Sequence, residues 1–256
     1  MIQILRNKCA AIRIHFSIIF AAAAIIFTVL GGMDDVRSYQ NVFDKQITNT
    51  NKTRINGSFV DQRDGKIYRT VKIGNQTWMA ENLNYKISNS WCYDNDNSNC
   101  EKYGRLYDWN TAVRVCPAGW RLPSLQDWMI LINAVSNVEM AGIELKSTIG
   151  WSNNGNGTDK FGFSALPGGA FFSTGFSGVG GYGNWWTTIE GYPGDDNCWG
   201  PRTKGYIGGI CCWGTGAEDC GDLAYSRTMC DEDGFIGLEL RYKNDTGLSV
   251  RCLLKE

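Results

Sequence analysis

Histidine is all but missing from this chain: the only one is His15. Without an imidazole further along, the usual base for nucleophilic Ser or Cys chemistry is absent, and so is the usual nitrogen ligand of zinc and haem. No C-x-x-C pair occurs, which removes the common thiolate metal spacings and redox motifs. Lys and Arg together number 25 against 26 acidic residues, a formal net charge of −1, with no long basic run. A nucleic-acid partner would need a basic patch or stripe, so none is expected. Proline is scarce at 5 residues. What the chain has instead is glycine (31 residues) and aromatics (10 Trp, 11 Tyr, 11 Phe). Glycine makes tight turns and rings fill the gaps between irregular loops, so a loop-rich β architecture is expected. The 256 residues, 43% hydrophobic and 20% charged, allow one large domain or two small ones with a real core.

Residues 1–13 carry Arg6, Lys8 and Arg13 and no acid, and residues 16–30 are apolar except for Ser17 and Thr28. With the small residues Gly31 and Gly32 behind it, this segment (1–32) reads as a secretory signal cleaved near those glycines. Its length, long for a signal core and short of the about 20 residues of a spanning helix, leaves open the alternative of an uncleaved anchor that tethers the chain through residues 16–30. No cysteine follows the apolar run closely, which argues against a lipid anchor. Nine of the 10 cysteines lie beyond the segment, from Cys92 to Cys252, as oxidised pairs in an extracytoplasmic space would. The expected location is therefore secreted or cell-surface associated.

Residues 33–60 are polar and rich in Asn and Thr, a linker that spaces the folded part, residues 61–256, from its support. Asp64-Gly65 and Gly74-Asn75 mark turns around a hairpin in which Ile67, Arg69, Val71 and Ile73 share a face. Two helices are expected, over 108–115 and over 124–137, the second capped by Ser124 with Asp127 in its first turn. Further on, strands are expected at about 161–166, 185–189, 206–210, 235–242 and 248–254, with a Cys-rich insert at about 191–232. Strands, two helices, long Gly-rich loops and strands again make an α+β domain.

The segment 109–135, WNTAVRVCPAGWRLPSLQDWMILINAV, with the closing LSVRC, resembles the C-type-lectin-like fold. More closely, the stretches DGKIYRTVKIGNQTWMAENLNY, SWCYDNDNSNCEKYGRLYDWNTA, CPAGWRLPS, LKSTIGWSNNGNGTDKFGFSALPGG and GYGNWWTT resemble the Fibrobacter succinogenes major paralogous domain. RLPS and GNWW are similar in turn to motifs of the sulfatase-modifying-factor group. The resemblance implies a disulfide-stapled C-type-lectin-like domain with short antiparallel strands, on a bacterial surface or secreted protein. It also implies a bond between Cys116 and Cys252 that ties the first helix to the last strand. Trp185 and Trp186 fall in the GNWW-like motif, where the resemblance implies that at least one anchors the loop core.

Several candidates for a site follow. Cys92 and Cys100 bracket the polar YDNDNSN, as a local disulfide staple would. Cys198, Cys211, Cys212, Cys220 and Cys230 are odd in number, leaving one thiol buried, free or available to another chain. Asp94, Asp96 and Asn99 are hard oxygen donors in one loop and weak calcium candidates, with Asp231 to Asp233 a second acidic cluster. Counted from Asp94, the sixth position is Asn99 rather than Gly and the twelfth is Arg105 rather than Glu, so this is no EF-hand; a solvated Asx-rich turn is the favoured reading. Trp185, Trp186, Trp199 and Trp213 lie in the Gly-rich region, where flat rings beside polar groups suit stacking on sugars. Trp199 and Trp213 are the stronger ligand-binding candidates.

These features lead us to expect a non-catalytic exported module for adhesion or recognition, without a cofactor, whose partner is a surface polysaccharide or a protein. The alternative is a structural subunit of a cell-surface assembly. A relative of the formylglycine-generating oxidases is the third reading. It is disfavoured because Cys220 and Cys230 lie in no recognisable active-site motif and Cys252 is taken by the implied structural bond.

Overall fold

The computed structural model describes residues 55–191 and 222–255. The export segment, residues 33–54 of the expected linker, and residues 192–221, with the strand expected at 206–210, lie outside the described residues. No helix among the described residues is long and apolar enough to cross a membrane.

The first half contributes strands β1 (Ile55–Val60), β2 (Ile67–Ile73), β3 (Gln76–Met79), β4 (Ser90–Trp91), β5 (Leu106–Tyr107) and β6 (Trp120–Arg121). The second half adds β7 (Gly168–Phe172), β8 (Gly175–Val179), β9 (Tyr182–Gly191), β10 (Leu223–Cys230), β11 (Ile236–Tyr242), β12 (Thr246–Ser249) and β13 (Leu253–Leu254). Helices α1 (Asn97–Tyr103), α2 (Trp109–Val115), α3 (Leu125–Val135) and α4 (Ala141–Leu145) are all short. The fold is α+β and mostly sheet. One sheet runs β1-β2-β3-β13-β6; the other runs β11-β10-β9-β7-β12-β5-β4, with β8 paired to β7. The pairings are antiparallel except where β9 meets β7 and β12.

Local chemistry explains the elements the sequence announced. Gly74, at φ +60°, supplies the left-handed turn that joins Ile73 to its cross-strand partner Gln76. Asp108 caps α2 by accepting from the Thr111 N–H at 2.8 Å. Ser124 and Asp127 form a capping box at the start of α3, and Arg121 grips the Asp127 carboxylate with both terminal nitrogens at 2.6 and 2.8 Å. The RLPS motif is thus a helix start clamped from the preceding strand.

Other expectations need correction. The linker does not extend to residue 60, because β1 pairs along β2 from Ile55 to Val60. Among the described residues the helices are four rather than two: α1 occupies part of the loop between Cys92 and Cys100, and one-turn helices such as α4 carry no readable periodicity. In β2 only Val71 and Ile73 of the expected face reach a core, while Ile67 is 65% exposed and Tyr68 is buried from the opposite face. Residues 161–166 form no strand. Asp159 and Ser164 adopt φ of +45° and +53°, and the Asp159 carboxylate accepts from the Ser164 N–H and hydroxyl, both at 2.7 Å, closing a turn instead. Residues 248–254 are two strands in different sheets. Between them the chain crosses over, with Val250 O and Cys252 O accepting from Leu83 N and Met79 N. The Cys-rich insert ends earlier than residue 232, since β10 from Leu223 is a central strand whose first residue pairs with Gly191.

Two cores result. The first gathers Val71, Ile73, Trp78, Trp128, Phe163 and Trp185; the second gathers Tyr68, Tyr107, Trp109, Trp120, Trp186 and Val250. Successive residues of a strand point to opposite faces, so Trp185 enters one core and Trp186 the other, and β9 is covered on both sides.

Candidate functional site

Trp185 and Trp186 are fully buried, so neither offers a face to a ligand; the expectation that both are binding candidates is corrected. Their indole N–H groups are spent on Asn82 Oδ1 at 2.9 Å and Tyr107 O at 2.7 Å. Trp199 and Trp213 lie outside the described residues, as do Cys198, Cys211, Cys212 and Cys220. Cys230 is buried at the end of β10.

Asn82 is the centre of a buried polar knot. Its Oδ1 also accepts from Arg251 Nε at 3.1 Å and Nη2 at 2.8 Å, and its Nδ2 donates to Tyr103 O at 2.8 Å. Arg251 lies over the Phe163 ring, 4.5 Å from its centroid, and donates to Phe163 O and Met79 O. Burial pushes the Arg251 guanidinium down to about 9, so it stays charged at neutral pH. Three of the motifs read from the sequence (ENLNY, GNWW and LSVRC) meet in this knot, which holds the sheets together and presents nothing to solvent.

The acidic loop residues work locally. Asp96 caps α1 by accepting from the Ser98 N–H at 2.9 Å, and hydrogen bonds from the Ser98 backbone and side chain hold its carboxyl below the usual range. Asn99 Nδ2 donates to Tyr93 O at 3.0 Å, and Asp94 sits at φ +53° in the turn. Asp231 Oδ2 accepts from Asn153 at 2.7 Å and Asp233 Oδ1 from the Phe235 N–H at 3.0 Å. Among the described residues no group of three His, Cys, Asp or Glu could hold a metal ion.

Cys92 is bonded to Cys100 and Cys116 to Cys252. The first bond has an unusual neighbour. Arg105 is buried and points Nη1 at both sulfurs, 3.2 Å from Cys92 Sγ and 3.4 Å from Cys100 Sγ. Its Nε and Nη2 donate to Ser90 Oγ at 3.0 Å and Ser90 O at 2.9 Å. No carboxylate among the described residues pairs with this guanidinium.

A row of rings that no sequence motif announced lies beside this disulfide. Trp91 on β4 stacks on Phe171 of β7 at 4.4 Å between centroids and 18° between planes. Phe171 touches Phe176 of β8 at 5.2 Å, and Phe176 touches Tyr93 at 5.3 Å. Trp91, Phe171 and Phe176 are half-buried, and none of the four belongs to either core. The hairpin register pairs Phe171 with Phe176, which puts both on one sheet face, and Gly247, opposite Phe171, leaves the space the stack fills. A Cβ at Gly247 would stand 3.0 Å from Trp91 Cε3 and 3.1 Å from Phe171 Cβ. Burial pushes the Tyr93 hydroxyl up, and the nearby Val179 backbone offsets part of that rise. Exposed polar residues frame the row: Asp94, Asn95 and Asp96 beyond Tyr93, Ser173 and Thr174 at the hairpin tip. Two clues were present in the sequence, the aromatics flanking Cys92 and the FFSTGF hairpin, but only strand register joins them.

No curated protein and no solved structure gives a significant match to this chain. A family model does match, over residues 71–253, from within β2 to the start of β13. That span takes in both disulfides, the Asn82 knot and the aromatic row, and the chain belongs to the Fibrobacter succinogenes major domain family.

Proposed function

We propose that this chain is an exported, non-catalytic recognition module of C-type-lectin-like fold, and that it binds carbohydrate on the sheet face carrying Trp91, Phe171, Phe176 and Tyr93. The observation that carries this reading is the aromatic row itself. Trp91, Phe171 and Phe176, three large rings collected together, half-buried and outside both cores, are set there at the expense of burial they would otherwise gain, with the buried Tyr93 backing Phe176. Hydroxyl and carboxylate groups around flat rings match a neutral sugar chain, whose C–H faces stack while its hydroxyls donate to Asp94, Asp96, Ser173 or Thr174. The absence of histidine beyond His15 supports a non-catalytic role. Affinity electrophoresis of the oxidised full chain through gels containing neutral plant or bacterial polysaccharides is the test. Retardation by at least one polymer, lost in Trp91→Ala and Phe176→Ala but kept in Trp199→Ala, is the expected result. Retardation that depends on Trp199 or Trp213 alone, or none with any polymer, overturns the assignment.

The reading as a structural subunit draws on a different feature. Val60 and Ile67 are cross-strand partners on the outer β1–β2 hairpin, 46% and 65% exposed. Sedimentation of the full chain at rising concentration checks it: a monomer throughout, under non-reducing conditions, removes that reading.

A further inference from the structure

We propose that the Cys92–Cys100 bond is a redox-sensitive latch on the aromatic row, made reducible by Arg105. The role of the latch rests on the reading of that row as a binding face; its chemistry can be measured without any ligand. Arg105 is 9% exposed and aims one guanidinium nitrogen at both sulfurs, at 3.2 and 3.4 Å. A disulfide sulfur is a weak, neutral acceptor, so the oxidised state leaves this cation poorly matched. A thiolate in the same place would form a charge-assisted pair with it in a buried setting. Stabilising the thiolate lowers the thiol pKa and stabilises the reduced state, which makes the bond easier to open. The Cys116–Cys252 bond lacks this device: among the described residues no cationic group hydrogen-bonds to its sulfurs, and Cys252 is fully buried.

The step needs a dithiol reductant. Its thiolate attacks Cys100 Sγ, the S–S bond breaks, and Cys92 leaves as a thiolate held by Arg105, its nearer partner. The second thiolate of the reductant then attacks the mixed disulfide, closes the reductant's own S–S bond and releases Cys100, which takes up a proton. Two electrons pass to the cysteine pair; one of the two protons ends on Cys100 and the other in solvent.

The consequence for the site follows from position. Cys92 lies between Trp91 and Tyr93, the residues at the two ends of the row, and the bond pins this segment to Cys100 in α1. Opening it frees both ends at once, so reduction should loosen the face while the two cores and the Cys116–Cys252 bond remain.

The oxidised full chain is equilibrated in dithiol–disulfide buffers of graded poise, alkylated, digested and mapped by mass spectrometry. Cys92 and Cys100 are expected to become reduced at a poise at least tenfold less reducing than Cys116 and Cys252, about 30 mV for a two-electron couple. Arg105→Gln should cut the equilibrium constant for opening Cys92–Cys100 about tenfold and leave Cys116–Cys252 unchanged, while Arg105→Lys retains part of the effect. Should Arg105→Gln fail to fold, the wild-type chain still decides. In the selectively reduced protein, the alkylation rate of Cys92 against pH should report a pKa below the about 8.5 of an ordinary thiol. Equal poise for the two bonds, no effect of Arg105→Gln in a folded protein, or an ordinary thiol pKa overturns the proposal. Polysaccharide retardation, where the oxidised chain shows it, should fall at least fivefold once Cys92 and Cys100 are reduced and alkylated. An unchanged retardation overturns the latch role, whereas a chain that binds no polysaccharide in either state sinks the function proposed above and leaves the redox measurements standing.

Discussion

The indole N–H of Trp185 donates to the side-chain oxygen of Asn82 at 2.9 Å, although the two residues are 103 positions apart. The same oxygen serves Arg251 Nε and Nη2, so removing it leaves the buried Trp185 N–H without its acceptor and takes two hydrogen bonds from a buried guanidinium that keeps only its carbonyl partners. Asn82→Ala should lower the unfolding free energy by about 3 kcal/mol or more. Urea titration of the oxidised protein checks this. Exposed Asn110→Ala, expected to stay within about 0.5 kcal/mol, is the control.

The Cys116–Cys252 and Cys92–Cys100 bonds should differ in what they contribute. They close separations of 136 and 8 residues, and in the chain-entropy model such loops stabilise by about 5 and about 2.5 kcal/mol. Cys116→Ser is therefore expected to lower Tm by more than Cys92→Ser, roughly twice as far, in thermal unfolding under oxidising conditions. An equal or reversed order would show that residual structure in the unfolded chain outweighs loop length.

Acid should weaken the start of α3. Burial pushes the Asp127 carboxyl up, but hydrogen bonds from Arg121 and Ser124 outweigh it and hold the group below the usual carboxylate value. Because the folded value is depressed, the stabilisation is complete above the unfolded pKa of about 3.9 and is lost as pH falls through the folded value. Asp61, drawn down by Arg63 against its own burial, acts in the same direction. The urea midpoint should thus fall between pH 6 and pH 3 by less in Asp127→Asn than in the wild type, the variant starting from a lower midpoint.

Gly247→Ala tests the stacked pair without touching either ring. The new methyl would sit 3.0 Å from Trp91 Cε3 and 3.1 Å from Phe171 Cβ, so the stack must open by a few tenths of an ångström. Polysaccharide retardation should fall severalfold while the urea midpoint moves little, since the row lies outside both cores. Full retention of binding would show that the ligand does not use the Trp91–Phe171 stack.

Much of the local structure could be read from residue order because its causes lie within a few positions. Ser124 with Asp127 is a helix start anywhere, and Gly74-Asn75 between apolar alternations is a hairpin turn. Short elements escaped for the same reason: α4 spans five residues, too few to show a period, and β4, β5 and β6 span two each.

By itself the sequence determined the α+β class, the capped helices and the family, because these are written in propensity, periodicity and contiguous motifs. Only the tertiary structure decided which aromatics are core and which are surface. Trp91, Trp185 and Trp186 are chemically the same residue, and their fates differ because β9 is covered on both faces while β4 is the last strand of its sheet. The Asn82 knot and the Trp91–Phe171–Phe176–Tyr93 row depend on register between strands far apart in the chain, and register is set by which faces find a partner.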